Sequence, residues 1–107
     1  MAGNYPERIW FNGGIVPWQD ATVHVMAHVV HYGSSVFEGI RSYETPDGPR
    51  IFRLTDHLRR LYSSAKIYEM AIPYDLATLR AACFEVLSAN RLGAGYLRPV
   101  AYRGLGG

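Results

Sequence analysis

Residues 55–90 hold two helical patterns parted by Pro73, and the chain on either side is a series of short apolar runs cut by glycine and proline. Leu58, Leu61, Ala65 and Tyr68 recur at spacings of three and four, which predicts one buried stripe on a helix over 55–70. Thr55 is its expected N-cap, with Asp56 favourable in the first turn. Proline cannot continue a helix, so Pro73 separates this one from the next. Leu76, Leu79, Cys83, Val86 and Leu87 predict a second helix over 75–90, broken off by Gly93 and Gly95.

The flanking runs read as strands. Asn12, Gly13 and Gly14 lie between apolar residues 9–11 and 15–18, and such residues accept positive φ cheaply, so a hairpin is expected. Pro17 puts its strand at an edge or ends it. Residues 22–31, rich in valine and histidine, read ambiguously. A strand over 35–43 carries Val36, Phe37, Ile40 and Tyr43, then Pro46, Asp47 and Gly48 turn the chain into a returning strand over 50–54. Residues 96–103 read as a last strand that Pro99 demotes toward an edge or bulge. Strands, two helices, then a strand predict an α+β domain with a largely antiparallel sheet and two main helices, occupying residues 1–107 as one domain.

Composition narrows the class. A chain of 107 residues can bury about two-thirds of its unfolded surface, enough for one core. Charged residues at 19% and aromatics at 13% argue against disorder. A net charge of +2 gives no reason to expect nucleic acid. No apolar stretch of about 20 residues is present to span a membrane. The opening MAGNYPER lacks the apolar run of a secretory signal, and the single cysteine, Cys83, fits a reducing compartment, so a cytoplasmic location is expected. The closing GLGG reads as a loop cut in mid-course, so the chain is expected to be a piece of a longer protein.

Several residues could carry chemistry. His24, His28 and His31 would share a face of a helix and could bind zinc, or simply pack and hydrogen-bond locally, with no carboxylate or cysteine near them in sequence. Within HYGSSVFEGIR (31–41), strand alternation puts Phe37, Gly39 and Arg41 on one face and Val36, Glu38 and Ile40 on the other. An aromatic, a bare backbone and a cation could meet an apolar, anionic ligand, or make an ordinary half-buried strand. Arg60 flanks the buried stripe of the first helix, where a guanidinium could reach a phosphate or lie solvated. Tyr96 and Arg98, two apart on a strand, could clamp a carboxylate or be edge residues. Lys66 reads as a surface cation rather than a nucleophile, and Cys83 as core.

Three segments, IWFNGGIVPWQDATVHVMAHVVHYGSSVFEGIRSYE, RIFRLTDHLRRLYSSAKIYEMAIP and AGYLRPVAYRG, together resemble the N-terminal part of the branched-chain amino acid aminotransferases, fold-type IV enzymes that use pyridoxal 5′-phosphate (PLP). The resemblance runs from Ile9 to Gly104, and its HYG-x-SVFEG string followed by RL-x-x-SAK is specific. The related D-amino acid transaminases and aminodeoxychorismate lyases carry an FGDG-like string where this chain has VFEG.

The resemblance implies a two-domain enzyme, with this chain as its small N-terminal α+β domain and PLP between the domains. Arg60 matches the arginine that holds the cofactor phosphate. Tyr32 and Phe37 match residues of the apolar substrate pocket, Arg41 a residue at its rim associated with the glutamate side chain, and Tyr96 and Arg98 residues that contact the substrate carboxylate. Leucine, isoleucine or valine would exchange an amino group with 2-oxoglutarate or glutamate. Tyr32 and the loop starting at Gly104 would reach the active site of a partner copy, in a homodimer or larger homo-oligomer. The Schiff-base lysine would lie beyond residue 107, Lys66 being the helix lysine of SAK, so the chain alone would not transaminate. The alternatives are another fold-type IV transaminase or lyase, of the D-amino acid or aminodeoxychorismate type, and a non-catalytic assembly module.

Overall fold

The computed structural model describes residues 5–105. The expectations about the first residues and the GLGG end lie partly outside them. Strands β1 (Arg8–Phe11) and β2 (Gly14–Pro17) form an antiparallel hairpin whose turn residues, Asn12 and Gly13, both have positive φ, 50° and 101°. That is the geometry of a two-residue primed turn, so the Asn-Gly expectation holds. β2 ends at Pro17 and Trp18 starts a 3-10 turn (Trp18–Asp20), while the valine–histidine stretch resolves into a loop and a five-residue helix α1 (His28–Tyr32) that ends on Gly33 at φ 63°.

The expected strand over 35–43 is two strands, β3 (Ser35–Phe37) and β4 (Ile40–Thr45), and the expected strand over 96–103 is also two, β6 (Gly95–Leu97) and β7 (Val100–Tyr102). β4 lies between β5 (Gly48–Ile51) and β6, while β3 pairs only with β7, all antiparallel. Three small sheets therefore replace one. The two breaks face each other. The Glu38 N–H donates to the Pro99 carbonyl at 3.1 Å, but Pro99 has no N–H to return the bond. Register does not slip across the break, since Phe37 stands opposite Val100 on one side and Ile40 opposite Leu97 on the other.

Helices α2 (Leu54–Ile67) and α3 (Leu76–Ala89) pack on one face of these strands. Thr55 is not the cap of α2. The chain turns from β5 into the helix through Phe52 and Arg53, and Arg53 takes the cap position at φ 50° with its Nε on Asp56 Oδ2 at 2.9 Å. The Thr55 hydroxyl accepts from Arg80 of α3 instead. Tyr68 is also not part of the buried stripe. Glu69 turns left-handed at φ 57°, which ends the helix at Ile67 and leaves Tyr68 exposed, and Met70 supplies the apolar contact. α3 matches its expected range, with Asp75 as N-cap accepting the Thr78 N–H at 2.8 Å. Asn90, just past its end, clamps the hairpin, bonding the N–H and the carbonyl of Arg8 at 2.9 Å each.

The main core gathers Ile40 and Leu97 from the strands with Leu54, Leu58, Cys83 and Leu87 from the helices. A second cluster, Val36 with Leu61 and Ala65, continues it beneath β3, and Leu79 packs against both. Burial pushes the Cys83 thiol up to about 11, against the opposing pull of Arg80, which suits an inert core residue. No helix among the described residues is long and apolar enough to cross a membrane.

Candidate functional site

Strand alternation runs straight through the break. Val36, Glu38, Ile40 and Ser42 are buried, while Phe37, Gly39, Arg41 and Tyr43 are exposed. Tyr96 stands opposite Arg41 and Val100 opposite Phe37, so one open face carries Phe37, Arg41 and Tyr96, with Arg98 between. The Arg98 guanidinium carbon lies 4.6 Å from the Phe37 ring centroid and 5.6 Å from that of Tyr96. Its Nη2 donates to the Tyr96 hydroxyl at 3.3 Å. Each cation–ring contact at an exposed site is worth about 0.5–1 kcal/mol.

Gly39 permits this arrangement. A Cβ at that position would lie 2.1 Å from the Tyr96 hydroxyl oxygen and 2.9 Å from the ring carbon that bears it. The Arg41 guanidinium is exposed and has no hydrogen bond or ion pair among the described residues. The face thus offers aromatic surface beside two cations, suited to a ligand with an apolar part and an anionic group. Phe37 and Tyr96 are more than half exposed and Arg41 is exposed, so this face is an open surface; hollows lie beside Arg53, Thr55 and Arg80 and beside Ile9 and Trp18.

The reverse side of the same strand holds a charge cluster. Glu38 is 6% exposed, on the core-facing side with Val36 and Ile40. Arg60 of α2 donates from Nε to both of its carboxylate oxygens at 3.0 Å and from Nη2 to Oε1 at 2.7 Å. The His57 Nδ1–H donates to Oε1 at 2.9 Å, the tautomer an ionised carboxylate demands. His57 and Arg60, three apart, project from one face of the helix. The Arg60 bonds hold the Glu38 carboxyl below its usual value, burial pushes the other way, and His57 lowers it further.

A carboxyl whose folded pKa lies below its unfolded value stabilises the fold above the unfolded value, here 4.5, and loses that contribution as pH falls through the folded one. The urea midpoint should therefore drop as the chain is acidified below about pH 4.5, and Glu38→Gln should flatten that drop. Equal acid dependence in both proteins would show that the cluster is not responsible.

Of the sequence-predicted residues, Phe37, Arg41, Tyr96 and Arg98 come together. Arg60 does not share their face but is bonded to the residue between Phe37 and Gly39. Tyr32 lies at the end of α1, 75% exposed, its ring 4.5 Å from that of His28 between centroids. α1 is tied to the segment after β7, where Gly104 and Arg103 carbonyls accept the His28 and Val29 N–H groups at 3.2 and 2.9 Å. Lys66 is exposed on α2. His24 precedes α1, so the three histidines do not share a helical face, and no metal-holding group of His, Cys, Asp and Glu occurs among the described residues.

Sequence reasoning passes over Glu38 and His57. The available signal is a glutamate at a core-facing strand position, which is costly to bury unless a cation meets it.

The amino-transferase class IV family model matches residues 35–107. The chain is 49% identical over 104 residues to the branched-chain-amino-acid aminotransferase of Escherichia coli K12, covering 97% of this chain and 34% of that protein. The crystal structure of the Escherichia coli branched-chain amino acid aminotransferase superposes at a TM-score of 0.90 and 47% identity, over 94% of this chain and 33% of that one. The T.th. branched-chain amino acid aminotransferase, solved with N-(5′-phosphopyridoxyl)-L-glutamate, superposes equally at 0.90 and 47% identity, over 92% of this chain and 34% of that one. The chain spans about a third of the length of the relatives it matches.

Proposed function

The chain belongs to the amino-transferase class IV family, and from that membership we propose that it is the small N-terminal domain of a PLP-dependent branched-chain aminotransferase. The parent enzyme would exchange the amino group of leucine, isoleucine or valine with 2-oxoglutarate. The observation that carries this reading is the open face on which Phe37, Arg41, Tyr96 and Arg98 converge from distant parts of the chain. Relatives named for that activity, one solved with a phosphopyridoxyl-glutamate adduct, support it.

The residues present fit the cofactor. A phosphate dianion suits a cation held in place with an edge still open, and Arg60 meets both conditions. Its Nε and Nη2 are fixed by Glu38, its Nη1 has no partner among the described residues, and its side chain is 67% exposed. When bound, PLP supplies the electron sink that amino-group exchange needs. The domain's residues do the recognition. Phe37 and Tyr32 give an aliphatic side chain somewhere dry to lie, Tyr96 and Arg98 hold the carboxylate, and Arg41 receives the second carboxylate of glutamate. One site thereby accepts both a greasy and a charged side chain. Tyr32, exposed at the end of α1, would serve the pocket of a second copy in a homo-oligomer. Biosynthesis of amino acids in the cytoplasm is the setting proposed for the parent enzyme.

Steady-state kinetics of the complete enzyme test this. Arg41→Met should raise the KM for 2-oxoglutarate about tenfold, the loss of one charged hydrogen bond, and change that for leucine less than about twofold. Equal effects on the two substrates would overturn the role given to Arg41. The 107-residue chain alone should show no turnover of leucine with 2-oxoglutarate.

A further inference from the structure

We infer that Glu38 and His57 are positioning residues for cofactor binding: the buried carboxylate fixes one edge of the Arg60 guanidinium, so that the other edge is held ready for a phosphate dianion. This rests on the reading that Arg60 receives the cofactor phosphate.

Three observations support it. An arginine on a surface helix normally samples many rotamers, and ordering it at the moment of binding weakens the bond it makes. Arg60 is already ordered, because three of its donor contacts end on one carboxylate. That carboxylate cannot wander. Glu38 is 6% exposed and its backbone N–H is bonded to Pro99. His57 adds a donor at 2.9 Å to Oε1, the same oxygen that receives Arg60 Nη2, and so fixes the carboxylate's rotation.

Here the anion is buried and the cation exposed at 67%. The arrangement also links the two halves of the site. Glu38 lies between Phe37 and Gly39 on the strand, so the residue that orients the phosphate cation shares its backbone with the substrate face. Phosphate and side-chain subsites are thus held in register by one strand break rather than by separate loops.

The test titrates the complete apoenzyme with PLP and, separately, with pyridoxal, which lacks the phosphate, following the absorbance of the bound cofactor. Glu38→Gln should weaken PLP about tenfold, as loss of an orienting partner typically does, and leave pyridoxal within about twofold. His57→Gln should act in the same direction by a smaller factor. It also keeps the inference testable if Glu38→Gln does not fold. Arg60→Ala should abolish the preference for PLP over pyridoxal, and adding Glu38→Gln to it should change nothing more. If Arg60→Ala lowers that preference while both Glu38→Gln and His57→Gln leave it intact, the positioning role is overturned and the reading of Arg60 survives. If Arg60→Ala itself leaves the preference intact, the reading of Arg60 falls and the inference with it. A loss of PLP and pyridoxal affinity in equal measure in Glu38→Gln would assign the cluster to folding alone.

Discussion

Replacing Leu58 by alanine is expected to cost about 3–4 kcal/mol of folding stability, a large part of what a domain of this size possesses. Leu58 is 0% exposed and packs in the cluster that joins Ile40 and Leu97 of the strands to Cys83 and Leu87 of α3. Its loss removes the transfer energy of three buried carbons. It also leaves a cavity that rigid neighbours on three elements cannot close. The same neighbours tolerate a flexible side chain of similar volume, so Leu58→Met should cost less than about 1.5 kcal/mol. Urea denaturation followed by far-ultraviolet circular dichroism reads both. Equal midpoints for the alanine and methionine variants would mean that α2 is not keyed to the sheet through this residue. The consequence reaches the site, because α2 also carries His57 and Arg60.

Gly39→Val should do the reverse, damaging the site and sparing the fold. A Cβ at Gly39 would sit 2.1 Å from the Tyr96 hydroxyl oxygen, so the tyrosine must swing away. Both residues are exposed, and Gly39 has no positive φ to protect, so the swing disturbs little of the core. Arg98 then loses its hydroxyl partner and one of its two ring contacts. In the complete enzyme, KM for the amino-acid substrate should rise at least about tenfold, corresponding to roughly 1.4 kcal/mol of binding. The melting temperature should move by no more than about 2 °C. A variant with parental KM would show that the tyrosine is free to take another position without penalty to carboxylate binding. A variant that melts far below the parent would place Gly39 in the fold instead.

Local patterns predict the hairpin, α3 and the alternating faces of the 35–43 segment because each depends on neighbours in sequence. Asn12 and Gly13 need only their own φ preferences to turn the chain. Val36, Phe37, Glu38 and Gly39 alternate because a pleated backbone forces them to. The departures have the opposite character. Thr55 carries a good cap side chain, yet the tight exit from β5 gives the cap to Arg53. Tyr68 continues the apolar period, yet Glu69 turns the chain before it can be buried. Pro99 fits its expected edge position, since β6 and β7 both lie at sheet edges, but only pairing across the chain shows that its missing N–H breaks the sheet opposite Glu38.

By itself the sequence determined the α+β class, the two helices and the set of aromatic and arginine residues on which a family resemblance could rest. Only the tertiary structure decided which of those arginines share a surface. Arg98 lies across Phe37 and Tyr96, whereas Arg60 is bound from behind by Glu38, twenty-two positions away in sequence. The physical reason is that a buried carboxylate must find a cation wherever the packing brings one. Which cation that is depends on how α2 seats against the strands, a property of the assembled core that no local spacing encodes.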